Sequence, residues 1–567
     1  MPVSEALLFP ASPLRTVKPA ARCGNKIARG SWILLCRAVY MRGRACACNQ
    51  KGKVFHMSGS KNGKAGKLNP VYLASLVICV VLAVWGIFFS DSLASAASWL
   101  FDAVTVNFAW LYMLAMTAFV VFVLFIAFSK YGSIRLGPDD SRPEHSNASW
   151  FAMLFGCGMG VGLVFYGAAE PMSHFLSPTA GIAPGSAEAA DFAMRASFMH
   201  WGFHPWANYA IIGLGLAFFQ FRKNKPALIS SLFIPLLGEE KVKGPIGKII
   251  DILAVFATIA GICTSLGLGI MQINGGLSYL FGLPNNRVTW LILTVVIAAI
   301  YLWTAISGID KGIKLIGDIN LYVALTLMGL ALIVGPTVLQ LNSLVGGMGG
   351  YISRFFQDSF MLSTLGDNGW ALGWRVYYWA WWIAWAPFVG IFIARISRGR
   401  TIREFILGVV VVPAIGSIIW FAIFGGMGLN LTQTLGMAWA QDAGADISLT
   451  LFKVFASYPL GKILSLVAIF LLFTFFITSA NSGTFVLGML SEEGRLQPTH
   501  KTMFIWGCIE AALSYALLLS GGMKSVQTIS IAAAFPFIFI MLGSMASLLK
   551  ALGSEWEMEE AKKNKKK

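Results

Sequence analysis

The chain is 567 residues long, 57% hydrophobic and only 12% charged, with a mean hydropathy of +0.70. That is more apolar material than the core of a soluble domain can absorb, so an ordinary water-soluble enzyme or binding module is excluded. The formal net charge of +17 does not imply nucleic acid: residues 1–56 alone hold ten Lys/Arg against a single acid, Glu5, and basic loops with the Lys562–Lys567 tail supply the rest.

The first 67 residues form a basic segment placed in the cytoplasm. It carries Cys23, Cys36, Cys46 and Cys48 and lacks the long apolar core of a signal peptide. Met57, followed by the polar stretch Ser58–Leu68, reads as the natural start, with 1–56 as an upstream extension; the alternative is that 1–56 is a real arginine-rich leader. From there the sequence falls into apolar blocks of about 20 residues, each long enough to cross a hydrocarbon core. Twelve spans are expected, near 70–90, 108–129, 149–170, 197–220, 249–281, 287–307, 318–340, 374–394, 404–426, 462–491, 501–521 and 527–549. They make residues 68–550 one all-α polytopic membrane domain, followed by a short cytoplasmic tail, 551–567. If the first span starts inside, the internal loops carry about 17 Lys/Arg against about 7 outside, so both termini are cytoplasmic. Arg395, Arg398, Arg400 and Arg403 are the densest part of that signal and read mainly as an orientation anchor. Cys79, Cys157, Cys263 and Cys508 sit singly in apolar spans and read as packing residues.

The third span contains Gly156-Cys157-Gly158-Met159-Gly160-Val161-Gly162, with glycines at alternate positions. Such a run serves either close helix contact or an unwound stretch whose carbonyls and half-helix dipoles face a solute or ion. Glu170, before Pro171, reads as a structural acid capping a turn at the end of that span. The fourth span carries His200-Trp201-Gly202-Phe203-His204-Pro205-Trp206 and Tyr209, with the two histidines read as packing or hydrogen-bonding groups rather than a proton relay. The fifth has Thr258, Thr264 and Ser265, and no Lys or Arg between Lys248 and Arg287.

The eighth span reads Tyr377-Tyr378-Trp379-Ala380-Trp381-Trp382-Ile383-Ala384-Trp385-Ala386-Pro387-Phe388. Belt tryptophans cluster at helix ends, whereas these runs continue into the apolar spans. Converging ring faces suit a cation without hydrogen-bond donors, such as a trimethylammonium group, which ring quadrupoles attract by about 2 kcal/mol or more once desolvated. The tenth span has a polar interruption at Thr478-Ser479, Asn481-Ser482. Its hydroxyls either bond back to carbonyls one turn earlier or, with the glycine stretch, cage a monovalent cation. Convergent acids, bases or metal ligands for catalysis are missing from the spans, so an enzyme is not expected.

Three stretches resemble the betaine/choline/carnitine transporter family: Gly158–Gly162 running into Tyr166-Gly167-Ala168-Ala169-Glu170-Pro171, the His200–Trp206 run, and Trp381–Phe388 followed by Ala394–Phe405. The resemblance covers about residues 68–550. It implies a LeuT-type core of two inverted five-helix repeats, spans 3–7 and 8–12, with spans 1 and 2 peripheral, assembled as a homotrimer in the bacterial inner membrane. It also implies a substrate site between the repeats, with Trp201, Trp206, Tyr209 and Trp382 as an aromatic box, Trp381 and Trp385 lining the site or its cytoplasmic exit, and Gly158, Gly160 and Gly162 beside it. Sodium, the coupling ion and only implied cofactor, would use Gly156, Met159, Phe475, Thr478 and Ser479. A second sodium site would use Thr258 and Phe388, but Ile262 stands where a second threonine belongs. Choline-type members carry an aspartate at the position of Gly162, so the resemblance implies a zwitterion, glycine betaine, imported by sodium symport. The alternatives are a sodium-independent carnitine/betaine exchanger or a proton-coupled choline carrier.

Overall fold

The computed structural model describes residues 69–158, 160–307 and 310–565. The basic leader, the start at Met57 and the expected ligand Met159 lie outside the described residues. The expected all-α class holds: among the described residues the secondary structure is helical, apart from one isolated antiparallel bridge between Arg135 and Thr401.

Local chemistry sets where the helices begin. Helix α1 (Pro70–Phe88) starts with proline at its first position, where no backbone donor is needed, and the Asn69 side chain accepts from Val71 N–H at 3.0 Å. Helix α2 spans Ser90–Phe128. The third expected span is two helices, α3 (Asn147–Gly158) and α4 (Val161–Leu176), with Gly160 extended between them. The fourth is also two, α5 (Ala187–Trp201) and α6 (Phe203–Ala217). Gly202 is the joint, because Pro205 has no N–H to offer Trp201's carbonyl and the Phe203 N–H donates instead to the Tyr351 hydroxyl at 2.9 Å.

The chain continues through α7 (Pro245–Phe281), α8 (Arg287–Ile306), α9 (Asp310–Val334) and α10 (Thr337–Ser353). After a π-helical turn at Ala371–Val376 come α11 (Tyr377–Ile396) and α12 (Ile402–Leu435), the latter opened by a Thr401/Glu404 capping box. Two short helices, α13 (Met437–Gly444) and α14 (Thr450–Ala456), lead to α15 (Gly461–Ser491), α16 (His500–Leu519) and α17 (Met523–Asn564).

Ten of these helices are long and apolar enough to cross a membrane, against twelve expected spans. The two shortfalls are the interrupted spans, whose halves of 12, 16, 15 and 15 residues are each too short by themselves. Two further differences concern boundaries. Helix α10 was not expected; it buries Gln340, which donates to Ala331 O and Ile423 O, and exposes Val338, Leu341 and Val345. Helix α17 runs unbroken past residue 550, so the expected tail begins as helix.

Elements from the two expected repeats pack against each other: α4 on α12, α6 on α11, α7 on α15. The most apolar window of α11 is 83% buried, whereas those of α1 and α9 are 28% and 22% buried, so α11 lies at the centre and the other two face outward. The arginine-rich run, expected to anchor an internal loop, makes tertiary contacts. Leu136 N–H donates to Arg400 O, Gly399 N–H to Leu136 O and Ile402 N–H to Ile134 O, and Arg400 lies 3.8 Å over the Trp150 ring while donating to Asn147 and His145. Arg222 likewise joins Asp139, Glu555 and Glu559, tying α17's last turns to two loops.

Candidate functional site

The two helix breaks and α11 meet at a cluster of rings. Trp201, the last residue of α5, lies 4.9 Å from Trp382 at 73° and 6.1 Å from Trp381 at 85°. Trp381 and Trp382 stack at 4.7 Å. Tyr209 stands edge-on to Trp382 at 6.4 Å, and Trp206 edge-on to Tyr209 at 5.5 Å. All five are buried, between 1% and 6% exposed. Gly162, in the first turn of α4, completes the cluster. A Cβ there would lie 2.8 Å from Cη2 of both Trp201 and Trp381, closer than real side chains allow, so glycine lets two indoles close on this helix. Gly160 and Gly156, by contrast, have nothing within 4 Å of that position. Gly158 ends α3.

Trp385 stands apart from this cluster. It is half-buried, its ring neighbour is Phe388 at 5.1 Å, and its Nε1 donates to Gly261 O on α7 at 2.6 Å. Trp381 and Trp385 are one helical turn apart, yet Trp381 stacks on Tyr377 and packs against Tyr166 of α4, so the shared face does not carry them to one partner.

The reading of Glu170 as a turn cap is corrected. It lies inside α4, fully buried, and is the hub of a hydrogen-bond network. Its Oε2 accepts from Trp201 Nε1 at 2.9 Å and from the Tyr378 hydroxyl. Its Oε1 faces His200 Nδ1 at 2.6 Å and His174 Nε2 at 3.3 Å. Arg375 Nε donates to His200 Nε2 at 3.0 Å, and Trp370 Nε1 to His174 Nδ1 at 3.2 Å. Because arginine and indole nitrogens only donate, each histidine is a neutral tautomer that gives its remaining N–H to Glu170. The His200 carbonyl in turn accepts from Trp382 Nε1 at 2.8 Å. His204 packs as expected, stacked between Trp379 and Phe355, with Ser359 Oγ 3.1 Å away.

Glu170, His174 and His200 place ligand-type atoms within 4.8 Å of one another. With their donors and acceptors already matched and a guanidinium on His200, the trio fits a hydrogen-bond network better than a metal site.

The expected ion ligands are differently built. Helix α15 is continuous through residues 475–483, so the polar run does not interrupt it. The Thr478 hydroxyl donates back to Thr474 O and Phe475 O at 3.0 and 3.1 Å, which puts two of the expected ligand oxygens side by side. Thr478 and Ser479 are half-buried, Phe475 is buried, and Gly156 is exposed. Asn320 on α9, which sequence reasoning missed, reaches Thr478 Oγ1 with Nδ2 at 3.3 Å, while its Oδ1 is buried without a partner. Of the second set, Thr258 donates to Ala254 O at 2.8 Å and Phe388 is buried beside Trp385, on helices that pack together.

The match to known proteins agrees with this geometry. Residues 70–557 match the model of the betaine/carnitine/choline family of transporters. A probable glycine betaine transporter of Desulfitobacterium hafniense is 45% identical over 492 residues, covering 86% of this chain and 98% of that protein. The glycine betaine transporter OpuD of Bacillus subtilis is 46% identical over 499 residues, covering 88% and 97%. An ectoine/hydroxyectoine transporter of Virgibacillus pantothenticus is 41% identical over 485 residues, covering 85% and 96%. A family match over most of the chain, on a frame of apolar helices around a ring cluster, makes this protein a multi-pass membrane transporter of the betaine/carnitine/choline family.

Proposed function

We propose that the protein is a secondary active transporter that imports a trimethylammonium zwitterion, glycine betaine, together with sodium by alternating access. The observation that carries this reading is that the Trp201 and Tyr209 rings each stand at a steep angle to the Trp382 ring, 73° and 83°. A trimethylammonium head has no N–H to donate, so ring quadrupoles are its natural partners. Gly162 supports a zwitterion over a lone cation, since the site adds no carboxylate beside the rings at that position and the substrate brings its own. Two of the relatives are named for glycine betaine, and the third for ectoine and hydroxyectoine, zwitterions without a trimethylammonium head.

Sodium is assigned to oxygens of Gly156, Met159 and Phe475 with the Thr478 and Ser479 hydroxyls; Thr258 and Phe388 remain an incomplete second set. The proximity of Phe475 O and Thr478 Oγ1 supports the first set. The interrupted pairs α3/α4 and α5/α6 count as one crossing each, which brings the ten long helices to twelve and divides the core into spans 3–7 and 8–12 as inverted repeats. We place the protein in a bacterial inner membrane as a homotrimer with both termini in the cytoplasm, with no organic cofactor. Uptake into proteoliposomes, with glycine betaine, ectoine, carnitine and choline tested with and without an inward sodium gradient, tests the reading. Sodium-driven accumulation of glycine betaine supports it, and choline uptake indifferent to sodium contradicts it.

A further inference from the structure

We propose that Glu170 is the positioning residue of the aromatic site: one buried carboxylate sets the ring geometry that determines substrate affinity, without touching the substrate. This rests on the reading that Trp201, Trp382 and Tyr209 hold the substrate's cation.

A carboxylate offers about four acceptor positions, and all four are used. Two go to Trp201 Nε1 and the Tyr378 hydroxyl, and two to the N–H groups of His200 and His174. Glu170 has no exposure and no acceptor left, so it acts through its partners. Those partners define the site. Trp201 is held directly. Tyr378 lies 5.7 Å from both Trp201 and Trp382 and stacks on His200 at 4.4 Å. Trp382 is held one step removed, through the carbonyl of the same His200. One group on α4 therefore holds the Trp201 ring of α5 and the Tyr378 ring of α11, beside the break at Gly202. Without it, Trp201 keeps its apolar packing but loses the bond that selects its rotation, and Tyr378, packed against Trp382, loses its anchor; a cation bound by ring faces responds to both.

Glutamine is the discriminating replacement. It has the same size but brings an amide NH2, which must face either Trp201 and Tyr378 or the two histidines; all four donate to Glu170 here, and only the Tyr378 hydroxyl can turn to accept. Glu170→Gln should raise the Km for glycine betaine by about tenfold or more, the scale of one or two mismatched buried hydrogen bonds. Vmax and membrane content should change by less than about twofold, a split that a purely structural role would not produce. Glu170→Asp, which keeps the acceptors on a shorter arm, should recover part of the affinity. Tyr378→Phe removes one donor and keeps the ring; it should raise Km less, and its effect should shrink when added to Glu170→Gln, since the phenol then has no good acceptor to lose.

A Glu170→Gln protein with wild-type Km, or one that loses only Vmax, overturns the proposal. If that variant fails to reach the membrane, Tyr378→Phe decides alone: a raised Km supports the role and an unchanged Km removes it. Wild-type protein run in parallel separates the two claims, because absent glycine betaine uptake by wild type sinks the functional reading itself, whereas normal wild-type uptake with an insensitive Glu170→Gln sinks only the positioning role.

Discussion

The ring cluster and the expected ion ligands sit on opposite terms with their surroundings. Trp201 and Trp382 are buried, and each indole nitrogen has a long-range acceptor, Glu170 for one and the His200 carbonyl for the other. Thr478 and Ser479 are half-buried on an unbroken helix, and the Thr478 hydroxyl spends its proton on carbonyls of its own previous turn. The first region is preorganised by several tertiary bonds, while the second is held mainly by its own helix, with one long-range bond from Asn320 to Thr478. On the proposed reading, a solute gripped by oriented rings would pay little to order its site, whereas a sodium ion would supply order at its own ligands and so couple its binding to the shape of the break.

The largest effect should come from Trp382→Ala, because Trp382 is the ring that Trp201 and Tyr209 both meet. Losing that face costs about 2 kcal/mol or more, a rise of about 30-fold in Kd by equilibrium binding, with normal membrane content. Gly162→Ala comes next. Its methyl would press on two indoles at 2.8 Å, and overpacking of this kind costs about 1–3 kcal/mol, so uptake assays should show Km raised about tenfold. The double variant Thr478→Ala/Ser479→Ala should leave Km at saturating sodium near normal. It should instead raise the sodium concentration for half-maximal uptake by several-fold, on the order of a lost ion ligand. Trp385→Phe should do least, about twofold or less in Km, because its ring contact is with Phe388 and its nitrogen serves only Gly261. A Trp385→Phe defect as large as that of Trp382→Ala would show that the boundary drawn around the cluster is wrong.

What the sequence made legible was whatever is written in neighbouring residues. Alternating glycines at 156–162 announced a break, four tryptophans within 379–385 announced a ring cluster, and apolar blocks announced the helices. The role of Glu170 was hidden because its partners lie 30, 31 and 208 positions away, and only packing α4 against α5 and α11 brings them together. Asn320 was hidden for the same reason, 158 positions from Thr478. Trp385 shows the converse limit: helical spacing placed it on the face of Trp381, but the neighbour that each side chain meets is decided by α7 and α4. At span 10 the back-bonding reading is the one that Thr478 and Thr484 show, because hydroxyls can satisfy themselves within a continuous membrane helix.

The central claim is that the rings recognise the positive charge of the substrate rather than its bulk. Equilibrium binding to detergent-purified protein, at fixed sodium, can compare glycine betaine with its carbon isostere, in which a quaternary carbon replaces the ammonium nitrogen and the carboxylate is kept. The two have the same shape, so they differ at the rings only in charge. The account predicts that glycine betaine binds at least about 30-fold more tightly, the worth of about 2 kcal/mol of cation–π attraction, and that Trp382→Ala removes most of the difference. Equal binding of the two molecules would contradict it.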